Sequence, residues 1–140
     1  MSEKDPETAI VTGASRCTVA AVAERPVDDG FNVVINYAGE RGSAAALAAR
    51  IQQVGWNPMV HQADVSDAEA VRGTPDAALD AFVGVDVWVN ADIMQVATFA
   101  EADDASFDRH VAINRKGVIS GLREASKRIV LEDLLSPFTN

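Results

Sequence analysis

At 140 residues, with 48% hydrophobic and 24% charged, the chain can bury the core of one domain and is too apolar to be disordered. Its net charge of -9, from 21 acidic against 12 basic residues, argues against a protein that coats nucleic-acid phosphates. One cysteine excludes an internal disulfide, His61 and His110 lack metal-ligand spacing, and no apolar run suggests a membrane span.

The first seven residues are highly charged and have no apolar signal core, so a soluble cytoplasmic protein is expected. Thr8–Val11 reads as a short buried strand, followed by a tight turn at Gly13, Ala14 and Ser15. An alanine-rich helix is expected over 17–25, ending or kinking near Arg25. Pro26 falls inside it, and an interior proline costs about 3 kcal/mol or more. Residues 32–36, NVVIN, form a β-branched run that suits a buried strand. Residues 43–54 carry strong helix formers with one apolar face, and Gly55 stops them.

Residues 58–62 suggest a third strand. Ser66 is expected to cap the next helix, with Glu69 three residues on as in a capping box. Thr74-Pro75-Asp76 should interrupt that helix, Thr74 capping a second segment with Pro75 at its first position. Residues 85–89, VDVWV, give a fourth strand. Residues 104–129 read as one long helix packing through Ala105, Phe107, Val111, Ile113, Val118, Leu122 and Ala125. The tail, 130–140, starts with a run that could begin a fifth strand and then loses any pattern.

Strand–helix alternation at this spacing predicts a three-layer α/β fold: four to five parallel strands with helices on both faces. Ligands of such sheets bind beyond the carboxyl ends of the strands. Here those ends read Thr12 to Arg16, Asn36 to Ala38, Asp64-Val65 and Asn90 to Asp92. They are polar as a nucleotide site requires, and also as loops in general are. The spacing alone leaves both readings open.

The same stretches carry a resemblance. TGASRCTV resembles the Thr-Gly-x-x-x-Gly-x-Gly loop of the short-chain dehydrogenase/reductase family. ADVSD is similar to its adenine-side Asp-Val element, DVWVNADIM to its Asn-Asn-Ala-Gly strand end, and FDRHVAINRKG to the helix bearing its catalytic asparagine. Four motifs in order cover residues 8 to about 129. The resemblance implies a Rossmann-like, dinucleotide-binding domain over 1–140, incomplete relative to the family. It implies that Gly13 makes the tight turn and that Ser15 and Arg16 face the adenosine ribose and phosphates. Asn36 and Tyr37 follow at the second strand's end, Asp64 and Val65 hold the adenine, and Asn90 and Ala91 lie along the ribose. Asn114 matches the asparagine that orders a proton-relay water; a mid-helix residue facing solvent or a neighbouring carbonyl is the alternative. With a neutral Asn36 where an acid would bind the ribose 2′-hydroxyl, and Arg16 nearby, the implied cofactor is NADP rather than NAD.

The chain also departs from the pattern. Cys17 and Val19 replace the second and third loop glycines, which admit the pyrophosphate and allow close helix–strand packing. Asp92 stands where the family has glycine; a carboxylate ~5 Å from a phosphate costs roughly 3 kcal/mol at an effective dielectric of ~20. The family's serine and Tyr-x-x-x-Lys acid/base pair have no counterpart, for the only tyrosine, Tyr37, is followed four residues on by Arg41. Two functions follow as expectations. One is an NADP-dependent carbonyl or alcohol oxidoreductase by descent, inactive as this chain. The other is a non-catalytic protein: a weak nucleotide binder, a homo-oligomer pairing through the long helix 104–129, or a decayed fragment. No nucleic acid, membrane or metal partner is expected.

Overall fold

The computed structural model describes residues 5–15, 17–91, 93, 98 and 100–129. Arg16, Asp92 and the tail 130–140 lie outside them, as do the side chains of Cys17 and Thr18. Four strands, β1 (Thr8–Val11), β2 (Asn32–Tyr37), β3 (Met59–Gln62) and β4 (Val87–Val89), form one parallel sheet in the order β3-β2-β1-β4. Ile10 pairs with Val34 on one side and Trp88 on the other, and Asn36 pairs with His61. Val33, Val34 and Ile35 are all buried because helices cover both faces, which is why this strand reads as a continuous apolar run.

Helices α1 (Cys17–Asp28) and α2 (Arg41–Gln53) cover one face. Ala23, Val27, Leu47 and Ile51 pack there against Val11, Val33, Ile35 and Tyr37, with Val19 seated against the same cluster. Helix α3 (Ala68–Ala81) covers the other face, where Ala78 meets Ile10, Val34 and Val85. Two further helices, α4 (Asp104–Val111) and α5 (Val118–Ser126), flank a π-helical turn, Ala112–Gly117. α5 packs beside α3 and β4.

Several local expectations are corrected. α1 passes through Pro26 and ends at Asp28. The proline forfeits one hydrogen bond in the last turn, while Ala23 and Val27 hold that turn on the core. α3 likewise runs unbroken through Thr74 and Pro75, both buried with Val71 and Ala78 on its inner face; packing offsets the missing donor. Its cap is Asp67, whose carboxylate accepts from the Glu69 and Ala70 amides. Ser66 instead donates its amide and hydroxyl to Asp64. The long helix packs through Ile113, Gly117, Gly121 and Ala125, whereas Ala105, Phe107 and Leu122 face outward. Among the described residues, no helix is long and apolar enough to cross a membrane.

Candidate functional site

The chain leaves β1 toward β2 and β3 on one side, then crosses back to β4 on the other. The loops after β1 and β4 therefore diverge, opening a crevice at the topological switch point. A cleft of about 210 Å³ lies there. Gly13 and Ser15 line it from the end of β1, and Asn36, Ala38, Gly39 and Glu40 from the end of β2. Ala63, Asp64 and Val65 line it from β3, Ala91 and Ile93 from β4, and Arg109 and Ile113 from the long helix.

The turn after β1 requires its glycine. Gly13 has φ +62, a conformation that L side chains rarely adopt, and faces Ala91. Thr12 ties the two loops together: its hydroxyl donates to Val89 O and accepts from the Ala91 amide at 2.9 Å. Directly beyond the turn, α1 begins at Cys17, and a helix N-terminus offers free amides to an anion.

The Asn36 side chain is fully buried and already engaged. Its Oδ1 accepts from the Gly13 amide at 3.4 Å, and its Nδ2 donates to Ala63 O at 3.1 Å and to His61 O at 3.4 Å. It braces the ends of three strands beneath the cleft. Asp64 fixes the next corner. Burial pushes its carboxyl up, but both hydrogen bonds from Ser66 and the charge of Arg109 outweigh this and leave it below the ordinary carboxylate range.

Asn114 sits in the π turn. Its Oδ1 accepts from the Ile93 amide at 3.0 Å, and its Nδ2 donates to Ile93 O at 2.8 Å. The carboxamide thus holds the loop after β4 rather than pointing freely into the cleft. π turns interrupt the regular helical ladder and are frequent at functional sites. Of the residues expected from sequence, Gly13, Ser15, Asn36, Asp64, Val65 and Ala91 meet around one cleft. Tyr37 is turned into the core under α1 and α2, and Asn90 accepts from Trp88 Nε1 at 3.1 Å; neither is among the lining residues. Arg16 falls outside the described residues.

Sequence reasoning missed Glu40, Ile93, Arg109 and Ile113. The first was legible as the charged residue opening α2, and the last two lie four residues apart on one helix. Among the described residues, no group of three or more His, Cys, Asp or Glu side chains could hold a metal ion.

A parallel sheet with a glycine turn, a helix N-terminus and polar strand ends at its switch point defines an α/β protein of Rossmann type. The chain belongs to the short-chain dehydrogenase family, whose model matches residues 7–133. An uncharacterized oxidoreductase of Methylorubrum extorquens is 35% identical over 92% of this chain and 52% of its own length. The 3beta-hydroxysteroid dehydrogenase 1 of Eggerthella lenta is 37% identical over 85% of this chain and 46% of its own. A short-chain dehydrogenase from Burkholderia cenocepacia, solved in complex with NADP, superposes with a TM-score of 0.80 at 33% identity, over 88% of this chain and 51% of that one. A metagenomic blue fluorescent protein in complex with NADPH gives 0.77 at 28% identity, over 88% of this chain and 51% of that one. The chain spans about half the length of the relatives it matches.

Proposed function

We propose that this chain is the cofactor-binding part of an NADP-dependent short-chain oxidoreductase, and that these 140 residues bind the dinucleotide without turning over a substrate. The observation that supports this best is the convergence of all four strand ends on one cleft, with Gly13 at its throat and α1 opening beyond. The donor set suits a dinucleotide. Gly13, Ser15 and Ala91 would follow the phosphates and ribose, with Arg16 on the adenosine phosphates. Asp64 and Val65 would take the adenine, and Ile93 and Asn114 would shape the route toward the nicotinamide. Bound there, the nicotinamide would supply or accept hydride.

Neither Tyr37 nor Asn114 is placed to exchange the substrate's proton. That needs an acid/base group with a tuned pKa at the reacting oxygen. Tyr37 is buried in the core, and Asn114 has both ends of its amide on Ile93. The reading treats the chain as one dinucleotide-binding domain working in the cytoplasm. Fluorescence titration of Trp56 and Trp88 with NADPH and NADH tests it. Saturable binding, tighter for NADPH, with no NADPH oxidation over a panel of carbonyl compounds, is the expected result. No binding of either nucleotide would overturn it.

A second reading concerns partners. Phe107, Ile119 and Leu122 are 68%, 58% and 56% exposed on the long helix, an unusual load of apolar side chains for a solvent face. They support pairing with a second copy through this helix. A dimer in sedimentation analysis, lost in Leu122→Glu, is the expected outcome; a monomer at all concentrations would end this reading.

A further inference from the structure

We propose that Arg109 grips the purine of the bound dinucleotide, its guanidinium lying over the base at the mouth of the cleft beside Asp64. This deepens the nucleotide reading above and rests on it. Arg109 projects from α4, and Ile113, four residues on, lines the same cleft. The apolar side chain can bound the base pocket while the guanidinium closes its outer rim. Two carboxylates, Glu40 and Asp64, line the cleft in a chain of net charge -9, yet the ligand is an anion. Among the described lining residues, Arg109 is the cation that offsets them.

Arg109 is also available for this. Other arginines, such as Arg25, Arg50 and Arg128, are held by carboxylates. Arg109 has no ion pair or side-chain hydrogen bond among the described residues, although its charge reaches Asp64. Asp64 is held in place on one side only, since Oδ1 takes both hydrogen bonds from Ser66 and Oδ2 is left as an acceptor. A purine bearing an exocyclic amine fits between the two groups. Its amine can donate to the carboxylate, and its face can take a planar, weakly hydrated guanidinium.

The experiment compares the unaltered chain with Arg109→Ala and Arg109→Lys by titration with NADPH, NADH and ADP-ribose, three ligands that share the adenine base and the rest of ADP-ribose and differ in the nicotinamide and the 2′-phosphate. Thermal unfolding checks that each variant folds. If Arg109 holds the base, Arg109→Ala weakens all three ligands by a similar factor, about five- to tenfold. Lysine, which keeps the charge and loses the plane, restores little. A loss confined to NADPH and rescued by lysine would overturn the proposal and make Arg109 a contact of the 2′-phosphate. Unchanged affinities would overturn it outright. Failure of the unaltered chain to bind any of the three would instead overturn the nucleotide reading on which it rests.

Discussion

The carboxamide of Asn114 and the backbone of Ile93 close a ring of two hydrogen bonds, 3.0 and 2.8 Å long. The ring joins the π turn of the long helix to the loop after β4, and both ends of it border the cleft through Ile93 and Ile113. A backbone amide and carbonyl that would otherwise need water are thereby satisfied. Asn114→Leu leaves both without a partner and should cost about 1–3 kcal/mol of stability. Dinucleotide affinity should fall as well, because the loop carrying Ala91 is freed. Asn114→Asp keeps an acceptor for the Ile93 amide and should lose less. Denaturant unfolding and NADPH titration of both variants check this; a Leu variant as stable as the parent would show that the ring contributes nothing net.

Gly121 lies where α5 crosses β4. A Cβ built there would stand 2.6 Å from Trp88 Nε1 and 2.9 Å from Asn90 Oδ1. Gly121→Ala should therefore destabilise the protein by about 1–3 kcal/mol and shift the emission of Trp88 by breaking its bond to Asn90. Gly73→Ala is the control: it sits inside α3 with nothing near its Cβ position. Removing the helix-weakening glycine there should stabilise by roughly 0.5–1 kcal/mol. Similar effects from the two changes would mean that packing against Trp88 is loose.

His61 makes stability depend on pH. Its Nδ1 is buried without a hydrogen-bond partner, and burial lowers its pKa from the ordinary 6.5. Below pH 6.5 the unfolded chain binds a proton that the folded chain resists. Stability is thus held above that pH and declines as pH falls toward the lowered native value. His61→Gln should flatten the fall in melting temperature between about pH 7 and pH 5. An unchanged slope would show that His61 contributes nothing there, since carboxylates such as Glu124, held low chiefly by its bond from Lys127, lose their stabilisation only as pH falls below the ordinary carboxylate value of 4.5.

Much of this was legible from residue pattern, for reasons that particular segments make plain. The β-branched run at Val33 to Ile35 suits a strand covered on both faces, and the strands then placed Gly13, Asn36, Asp64 and Ala91 at one edge. Local rules failed where tertiary contacts overrode them. Pro26 and Pro75 look like helix breakers in sequence, but each sits in a turn pinned by buried neighbours. Ser66 looked like a cap until Asp64 claimed its donors. No spacing rule marks the π turn, so the inner face of the long helix was misassigned at Phe107 and Leu122. Nor could sequence tell that Asn36 and Asn114 spend their amides on backbone, or that Arg109 reaches the cleft.

The charge at the end of β2 should tune cofactor choice. Glu40 lines the cleft beside Asn36, Ala38 and Gly39 and precedes α2 as its cap residue without making a capping hydrogen bond. If the ribose 2′ corner lies there, its carboxylate opposes a 2′-phosphate that Arg16 would attract. At ~6 Å the repulsion is roughly 1–3 kcal/mol per phosphate charge for effective dielectrics between about 80 and 20. Glu40 is exposed, so the lower end applies. Glu40→Ser removes the charge and installs a residue preferred at helix caps, so stability should hold or rise slightly. NADPH binding should tighten about five- to tenfold and NADH binding about twofold or less, with the gap narrowing as salt is raised. Equal gains for both cofactors would move Glu40 away from the 2′ corner and toward the shared phosphates. A loss of NADPH affinity would mean that Glu40 holds a hydroxyl of the ribose.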